Sequence, residues 1–265
     1  MKKVRNDQYE YIQQVNRLWD DVAARIGDEF ERRYHLPDIV QIDEEHDIRA
    51  LVLAPHQDDE VLGCGGTIHR LVIGGAKVTV EYMTDGRFGN LDHTAAEMIA
   101  MREMEAREGL RVLGIKDALF NKTSDLCLDC TPAAIEKVKE TIAERKVNVL
   151  FVPHPRENHP DHWTTAKIAS EALKGANGQM TIFQYEVWTP FVPNALIDIT
   201  DCIDIKVRAL REHQSQMRMI DYVEKICGLN AYRSINASSE MRYCEAFIVS
   251  NSKDFNRNVV ESGLG

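Results

Sequence analysis

Apolar positions in residues 8–33 fall at Tyr9, Ile12, Val15, Leu18, Trp19, Val22, Ile26 and Phe30, steps of three and four that predict one amphipathic helix. Pro37 and the acidic run Asp43-Glu44-Glu45-His46-Asp47 separate it from the rest of the chain. From residue 48 the rhythm changes. Ile48 to Ala54 is a short apolar run closed by Pro55 and reads as a buried strand. Helical pattern over Val61 to Ile73 leads through Gly74-Gly75 to a strand in Lys77 to Met83, and a long helix fits Thr94 to Leu113, stopped by Gly114. Further strands are expected at Ala118 to Phe120, Val147 to Val152, Met180 to Tyr185, Leu196 to Ile199 and near Ala246 to Val249. Further helices are expected to open at Thr131-Pro132, where threonine caps and proline takes the first helical position, and to run from about Asp161 to Leu173 and Asp201 to Met219.

Strand–helix alternation of this kind predicts an α/β fold, a Rossmann-like open and mostly parallel sheet with helices on both faces. The expected division is an N-terminal helical extension over residues 1–47, packed on an exposed flank, and one α/β domain over 48–265. Internal repeats and low-complexity stretches are absent from the sequence.

Composition narrows the function. In 265 residues, 32 Lys+Arg stand against 42 Asp+Glu, a net charge of −10 with no basic cluster, which argues against a nucleic-acid partner. Hydrophobic residues make up 44% and charged residues 28%, which suits a globular chain and is too apolar for disorder. Polar residues come after Met1-Lys2-Lys3-Val4-Arg5 where a signal peptide would need an apolar run, and no apolar stretch approaches the ~18 residues of a membrane span. Six scattered cysteines read as reduced thiols, so the expected compartment is the cytoplasm. The sequence leaves a homo-oligomer open.

Ionisable residues crowd into two segments at strand ends. Pro55-His56-Gln57-Asp58-Asp59-Glu60 comes directly after the first core strand, and His154-Pro155-Arg156-Glu157-Asn158-His159-Pro160-Asp161-His162 directly after the fourth. Open α/β sheets bind ligands outside the strands' carboxyl ends, where strand order reverses. With the core strands ordered 3-2-1-4-5, both segments face one crevice. His56, Asp58, Asp59, His159, Asp161 and His162 then offer imidazole and carboxylate donors for zinc or non-haem iron. Glu157 and His154 read as residues that shape the loop.

At these residues the sequence resembles the PIG-L/LmbE-like family of zinc-dependent N-acetylglucosaminyl deacetylases. The family's His-Pro-Asp-Asp-Glu type motif stands here as His56-Gln57-Asp58-Asp59-Glu60, and its His-Pro-Asp-His type motif as His159-Pro160-Asp161-His162. Gly63-Cys64-Gly65-Gly66, Thr84-Asp85-Gly86, Arg102 with Glu105, and Ala209-Leu210 with His213, Ser215 and Gln216 also fit, so the likeness covers roughly residues 48–250. Gln57 replaces the usual proline, a departure expected to change loop stiffness more than chemistry. The resemblance implies that His56, Asp59 and His162 hold Zn2+, or another divalent metal such as Fe2+. It implies Asp58 as general base, His159 as the group stabilising the tetrahedral oxyanion, and Asp161 as the partner orienting His159. Arg102, and less directly Asp125, would contact sugar hydroxyls; on spacing alone Arg102 also fits an ion pair with Glu105. Tyr185 and Trp188 would either wall a sugar face or close the core. The implied reaction is hydrolytic removal of acetyl from an N-acetylglucosamine-type sugar or conjugate.

Two other readings belong to different classes: a noncatalytic sugar-binding module on the same fold, and a metal-dependent amidohydrolase acting on a non-sugar amide. Cys127-Leu128-Asp129-Cys130 lacks the second pair of a zinc knuckle, and two unpaired thiols are expected there. Gly63, Gly65 and Gly66 lack the dinucleotide spacing, and a pyrophosphate there would meet Asp58 and Asp59.

Overall fold

The computed structural model describes residues 14, 15, 17, 18, 36–42, 47–89, 92–175 and 180–264. The amphipathic helix expected over residues 8–33 therefore lies almost entirely outside the described residues. Eight strands form one sheet: β1 (Asp38–Ile39), β2 (Arg49–Ala54), β3 (Lys77–Thr84), β4 (Asp117–Thr123), β5 (Val149–Pro153), β6 (Thr181–Tyr185), β7 (Ala195–Asp198) and β8 (Cys244–Asn251). Their spatial order is β1-β7-β8-β6-β5-β2-β3-β4. The run β4-β3-β2-β5-β6 is parallel throughout and is the expected 3-2-1-4-5 order of the core strands. β2 and β5 are neighbours across the reversal, so the loops that leave them open on the same crevice.

The sheet is buried on both sides because its strands are apolar on both sides. In β2, Ala50, Val52 and Ala54 join one core cluster while Leu51 and Leu53 join another on the opposite face; in β5, Val149 and Phe151 alternate with Leu150 and Val152 in the same way. Helices α1 (Asp59–Ile73), α2 (Ala95–Leu113), α3 (Pro132–Arg145) and α4 (Pro160–Ala172) are the crossovers, and α5 (Ile203–Glu212), α6 (Gln214–Met217), α7 (Tyr222–Arg233) and α8 (Ser252–Val259) come after them. Thr94 caps α2 with a reciprocal Glu97 capping box, and Thr131 caps α3 ahead of Pro132.

Three features depart from the expectation. β8 runs antiparallel between β6 and β7, a direction that an apolar run does not encode. The helix expected over 201–219 breaks at His213, whose ψ of 57° separates α5 from α6. α7 escapes hydrophobic periodicity because its buried face reads Tyr222, Ile226, Asn230, Arg233, and two of those four are polar. The short strand β1 pairs with β7, which ties residues 38–39 into the sheet.

Helix α1 lies unusually near the sheet. A Cβ on Gly63 would stand 2.2 Å from the Tyr185 ring, and one on Gly66 would stand 2.6 Å from Ile199. The helix also breaks at Cys64 (φ −144°, ψ 18°), which frees backbone donors for a second start. Glu245 accepts two of them, Gly66 N–H at 2.9 Å and Thr67 N–H at 2.8 Å. The fully buried Lys206 ammonium donates to Glu245 at 2.6 Å and to the Leu62 carbonyl at 3.0 Å. This buried pair fixes the helix whose N-terminus carries Asp59.

Candidate metal centre

The turn between β2 and α1 is strained and braced. Asp58 sits at φ 141°, a backbone region suited to glycine. Its carbonyl accepts the Val61 and Leu62 N–H groups at 3.0 and 2.9 Å, and its own N–H donates to Glu60 Oε2 at 3.2 Å. Glu60 is fully buried and takes the Tyr82 hydroxyl at 2.6 Å; burial pushes its carboxyl up to about 8, so it is protonated at neutral pH. Gln57 donates to the Thr84 carbonyl at 2.8 Å and so anchors the turn to β3. Gly86 has φ 64°, and a Cβ there would meet Gln57 at 2.2 Å.

The turn sends its two acidic side chains in different directions. Asp59 faces the histidines: its Oδ2 accepts the His56 N–H at 2.9 Å and lies 3.2 Å from both His56 Nδ1 and His162 Nε2. Burial would raise the Asp59 carboxyl, but the charge of His162 and the hydrogen bonding of His56 hold it well below the usual range. Asp58 faces Arg102, whose Nη2 donates to Asp58 Oδ1 at 3.1 Å and to the Gln57 carbonyl at 2.8 Å. Burial pushes the Asp58 carboxyl up to about 7 against the pull of Arg102.

The other face of His56 meets two more carboxylates. Its Nε2 lies 3.1 Å from Asp125 Oδ1 and 3.2 Å from Asp161 Oδ2. Asp161 in turn accepts the Leu126 N–H at 2.8 Å, and Asp125 accepts the Phe88 N–H at 3.3 Å, so the β3, β4 and β5 loops interlock at this point. His159 caps α4, and its ring stands 4.7 Å from that of His56 and 5.0 Å from that of His162. The Asp161 N–H donates to His159 Nδ1 at 3.2 Å, so a neutral His159 carries its proton on Nε2. Burial, followed by the neighbouring His56 and His162, keeps the His159 pKa below its ordinary value.

Of the residues singled out in the sequence, His56, Asp58, Asp59, His159, Asp161 and His162 meet in this crevice. Arg102 is 4% exposed and points at Asp58 rather than at open space. It makes no pair with Glu105, which accepts instead from the Ser215 N–H at 2.8 Å and hydroxyl at 2.6 Å. Asp125 touches His56, and the Asp161 carboxylate also reaches His56 rather than the His159 ring. Tyr185 is buried with its hydroxyl on the Leu53 carbonyl at 2.8 Å, so it closes the core. Trp188 is exposed beside Tyr222, with ring centroids 5.7 Å apart. Phe88 and Leu126, on the β3 and β4 loops, are likewise exposed. His154 stacks on Phe191 at 4.8 Å and accepts the Arg156 N–H at 3.2 Å, shaping the loop as expected. Cys127 and Cys130 are free thiols.

The cluster suits a cation. Ring nitrogens of His56, His159 and His162 lie within 4.8 Å of one another, as do donor atoms of His56, Asp125, His159 and Asp161. His162 is fully buried, yet neither of its ring nitrogens makes an aligned hydrogen bond. A buried imidazole left unpaired is costly unless something else takes its lone pair. With carboxylates beside it, that donor set fits a divalent metal of the zinc or iron type.

Fold and site together define a class: an α/β protein whose switch-point crevice presents the imidazole and carboxylate donors of a metal-dependent hydrolase. Residues 51–173 match the family described as GlcNAc-PI de-N-acetylase, PIG-L. Diacetylchitobiose deacetylase of Thermococcus kodakarensis is 27% identical over 186 residues, covering 63% of this chain and 70% of that protein. A probable N-acetyl-alpha-D-glucosaminyl L-malate deacetylase 2 of Bacillus anthracis is 27% identical over 184 residues, covering 63% of this chain and 80% of its own length. The solved structure of N,N'-diacetylchitobiose deacetylase from Pyrococcus horikoshii superimposes with a TM-score of 0.71 at 28% identity, covering 78% of this chain and 85% of that one. Over residues 51–173 the chain is similar to the PIG-L/LmbE family of deacetylases. Among the described residues no helix is long and apolar enough to cross a membrane.

Proposed function

We propose that the chain is a metal-dependent deacetylase that hydrolyses the acetamide of an N-acetylglucosamine-type sugar or sugar conjugate. The observation that carries the reading is the divergence of two adjacent carboxylates. Asp59 reaches two imidazoles at 3.2 Å, while Asp58 is held apart by Arg102 at 3.1 Å. His56, Asp59 and His162 would hold the ion, with zinc the first assignment and ferrous iron the second. Such an ion supplies Lewis acidity, polarising the acetamide carbonyl and acidifying water.

The chain's own groups do the rest. Asp58 takes the proton of the attacking water as its oxygen bonds to the carbonyl carbon, and gives that proton to the nitrogen as the C–N bond breaks. Acetate and the free amine leave. Burial and Arg102 tune and aim this base, which is the role we assign to Arg102 in place of a sugar contact. His159 presents Nε2–H to the oxyanion as a neutral donor, a contribution of about 2.7–4 kcal/mol in comparable sites. Asp161 and Asp125 hold His56 and the β4 loop in register. Trp188 offers its exposed ring to the sugar face. The six free thiols suit the reducing cytoplasm.

An amine-release screen tests the reading, using N-acetylated sugars, their conjugates and non-sugar acetamides with zinc-loaded and chelator-stripped protein. Release from sugars only, abolished by stripping and restored by zinc, is expected. Full activity in metal-free protein refutes metal dependence. Release only from non-sugar acetamides makes the protein a different amidohydrolase, and binding of sugars with no release makes it a noncatalytic module.

A further inference from the structure

Glu157 is a carboxylate that the proposed reaction does not use, and its surroundings are unusual for a loop residue. Its side chain is wholly buried on the loop that leaves β5, five positions before His162. Three successive backbone donors of the β6 loop converge on it: Val187 N–H at 2.7 Å, Trp188 N–H at 3.1 Å and Thr189 N–H at 3.2 Å. No lysine or arginine pairs with it among the described residues. Its Oε2 lies 3.6 Å from His162 Nδ1, the ring nitrogen that faces away from Asp59.

Backbone N–H groups alone do not require a carboxylate, because an amide oxygen satisfies them equally well. A carboxyl group buried with no lysine or arginine beside it needs a further reason. His162 supplies one. If Nε2 is the ligating atom, the ring proton resides on Nδ1, and Nδ1–H then has one acidic acceptor within reach. We propose that Glu157 is the positioning residue for His162: it fixes the ring tautomer with Nε2 free to ligate, and ties that choice to the loop that carries Trp188. The inference rests on the proposed assignment of His162 as a ligand. A carboxylate in this position orients the imidazole and increases its basicity as a donor.

Glu157→Gln separates this role from a structural one. Glutamine Oε1 still accepts the Val187, Trp188 and Thr189 donors at 2.7, 3.2 and 3.2 Å, but its amide N–H2, in the place of Oε2, gives up the second contact with Trp188 N–H and meets Nδ1–H donor to donor. Zinc affinity, read by competition with a chromophoric chelator, should fall about 10–100-fold. Thermal stability of the metal-free protein should stay close to wild type. At saturating zinc, kcat should fall while KM holds. Unchanged zinc affinity in Glu157→Gln overturns the proposal. Should that variant fail to fold, the ring nitrogens of zinc-loaded wild-type protein give the answer by 15N NMR, with the signal assigned through His162→Gln. Nδ1–H with Nε2 deprotonated is expected; the opposite tautomer overturns the inference. His162→Gln also keeps the two readings apart. If it retains zinc, the ligand assignment itself fails; if it loses zinc while Glu157→Gln binds normally, only the positioning role fails.

Discussion

Asparagine at Asp59 distinguishes the two donor sets that surround His56. One set uses the Nδ1 side, with Asp59 Oδ2 3.2 Å from His56 Nδ1 and from His162 Nε2. The other uses the Nε2 side, with Asp125 at 3.1 Å and Asp161 at 3.2 Å. The variant keeps a carbonyl oxygen for the His56 N–H, which Asp59 now accepts at 2.9 Å, so the turn should fold unchanged. What it loses is one unit of charge. Two unit charges 4 Å apart interact by about 4 kcal/mol at an effective dielectric of about 20, and retaining the neutral oxygen recovers part of that. A loss of about 2–4 kcal/mol corresponds to roughly 30- to 1,000-fold weaker zinc binding. Asp125→Asn should leave zinc affinity within a few-fold of wild type, since Asp161 Oδ2, 3.2 Å from the same Nε2, still holds the His56 ring. Asp58→Asn should also keep zinc but lose about 10²–10⁴ in kcat, or about 2.7–5.4 kcal/mol, for want of a base. Chelator competition, elemental analysis and amine release on the three variants complete the experiment. If Asp59→Asn binds zinc normally while Asp125→Asn loses it, the centre lies on the Nε2 side of His56 and the ligand assignment is wrong.

Two predictions concern the scaffold. His213 is fully buried against Gly109, and burial, with the Arg102 charge added, pushes its pKa down to about 3 from the ordinary 6.5. Its folded pKa lies below its unfolded one, so its contribution is complete above pH 6.5 and is lost as pH falls toward 3, by about 1.4 kcal/mol per pH unit. Urea unfolding between pH 7 and pH 4.5 should therefore show a steeper loss for wild type than for His213→Gln; parallel lines would clear His213 of the effect. Lys206→Met leaves Glu245 buried with its two backbone donors and no cation, which should cost about 3–5 kcal/mol. A loss below about 1 kcal/mol in chemical denaturation would show that the backbone donors suffice.

The sheet was legible because its strands are buried on both faces. Runs such as Leu51-Val52-Leu53 and Leu150-Phe151-Val152 leave no polar side to hide, and right-handed crossovers then fix their neighbours. The two motif loops were legible for the same reason, as ionisable clusters at the ends of strands that the order places side by side. Asp125 carried no such signal. It lies on a third loop, and only the fold brings its carboxylate to His56 Nε2. Arg102 was legible as a residue of the site, but its contact with Asp58 was not, because helical spacing cannot foresee a partner 44 positions away. Gln57 was expected to change the stiffness of the turn more than its chemistry; its bond to the Thr84 carbonyl supplies a restraint in place of proline's ring.

Asp58 and Asp59 are chemically identical neighbours, and the structure makes them unlike through the backbone. At φ 141° the chain turns sharply enough that one carboxylate enters the histidine cluster and the other enters the Arg102 pocket. Burial raises Asp58 to about 7, while His162 and His56 overcome the same burial at Asp59 and hold it ionised. Titratable pairs whose surroundings push them apart mark a division of labour between proton transfer and fixed charge. The strain at Asp58 costs on the order of 1–3 kcal/mol and persists only because its surroundings over-determine it. Here those restraints are the Asp58 N–H on Glu60 and the Val61 and Leu62 donors on its carbonyl. Glu60 thus serves as a neutral brace, its Oε1 held by Tyr82 from β3, and an ionised side chain in that pocket would repel both aspartates it supports.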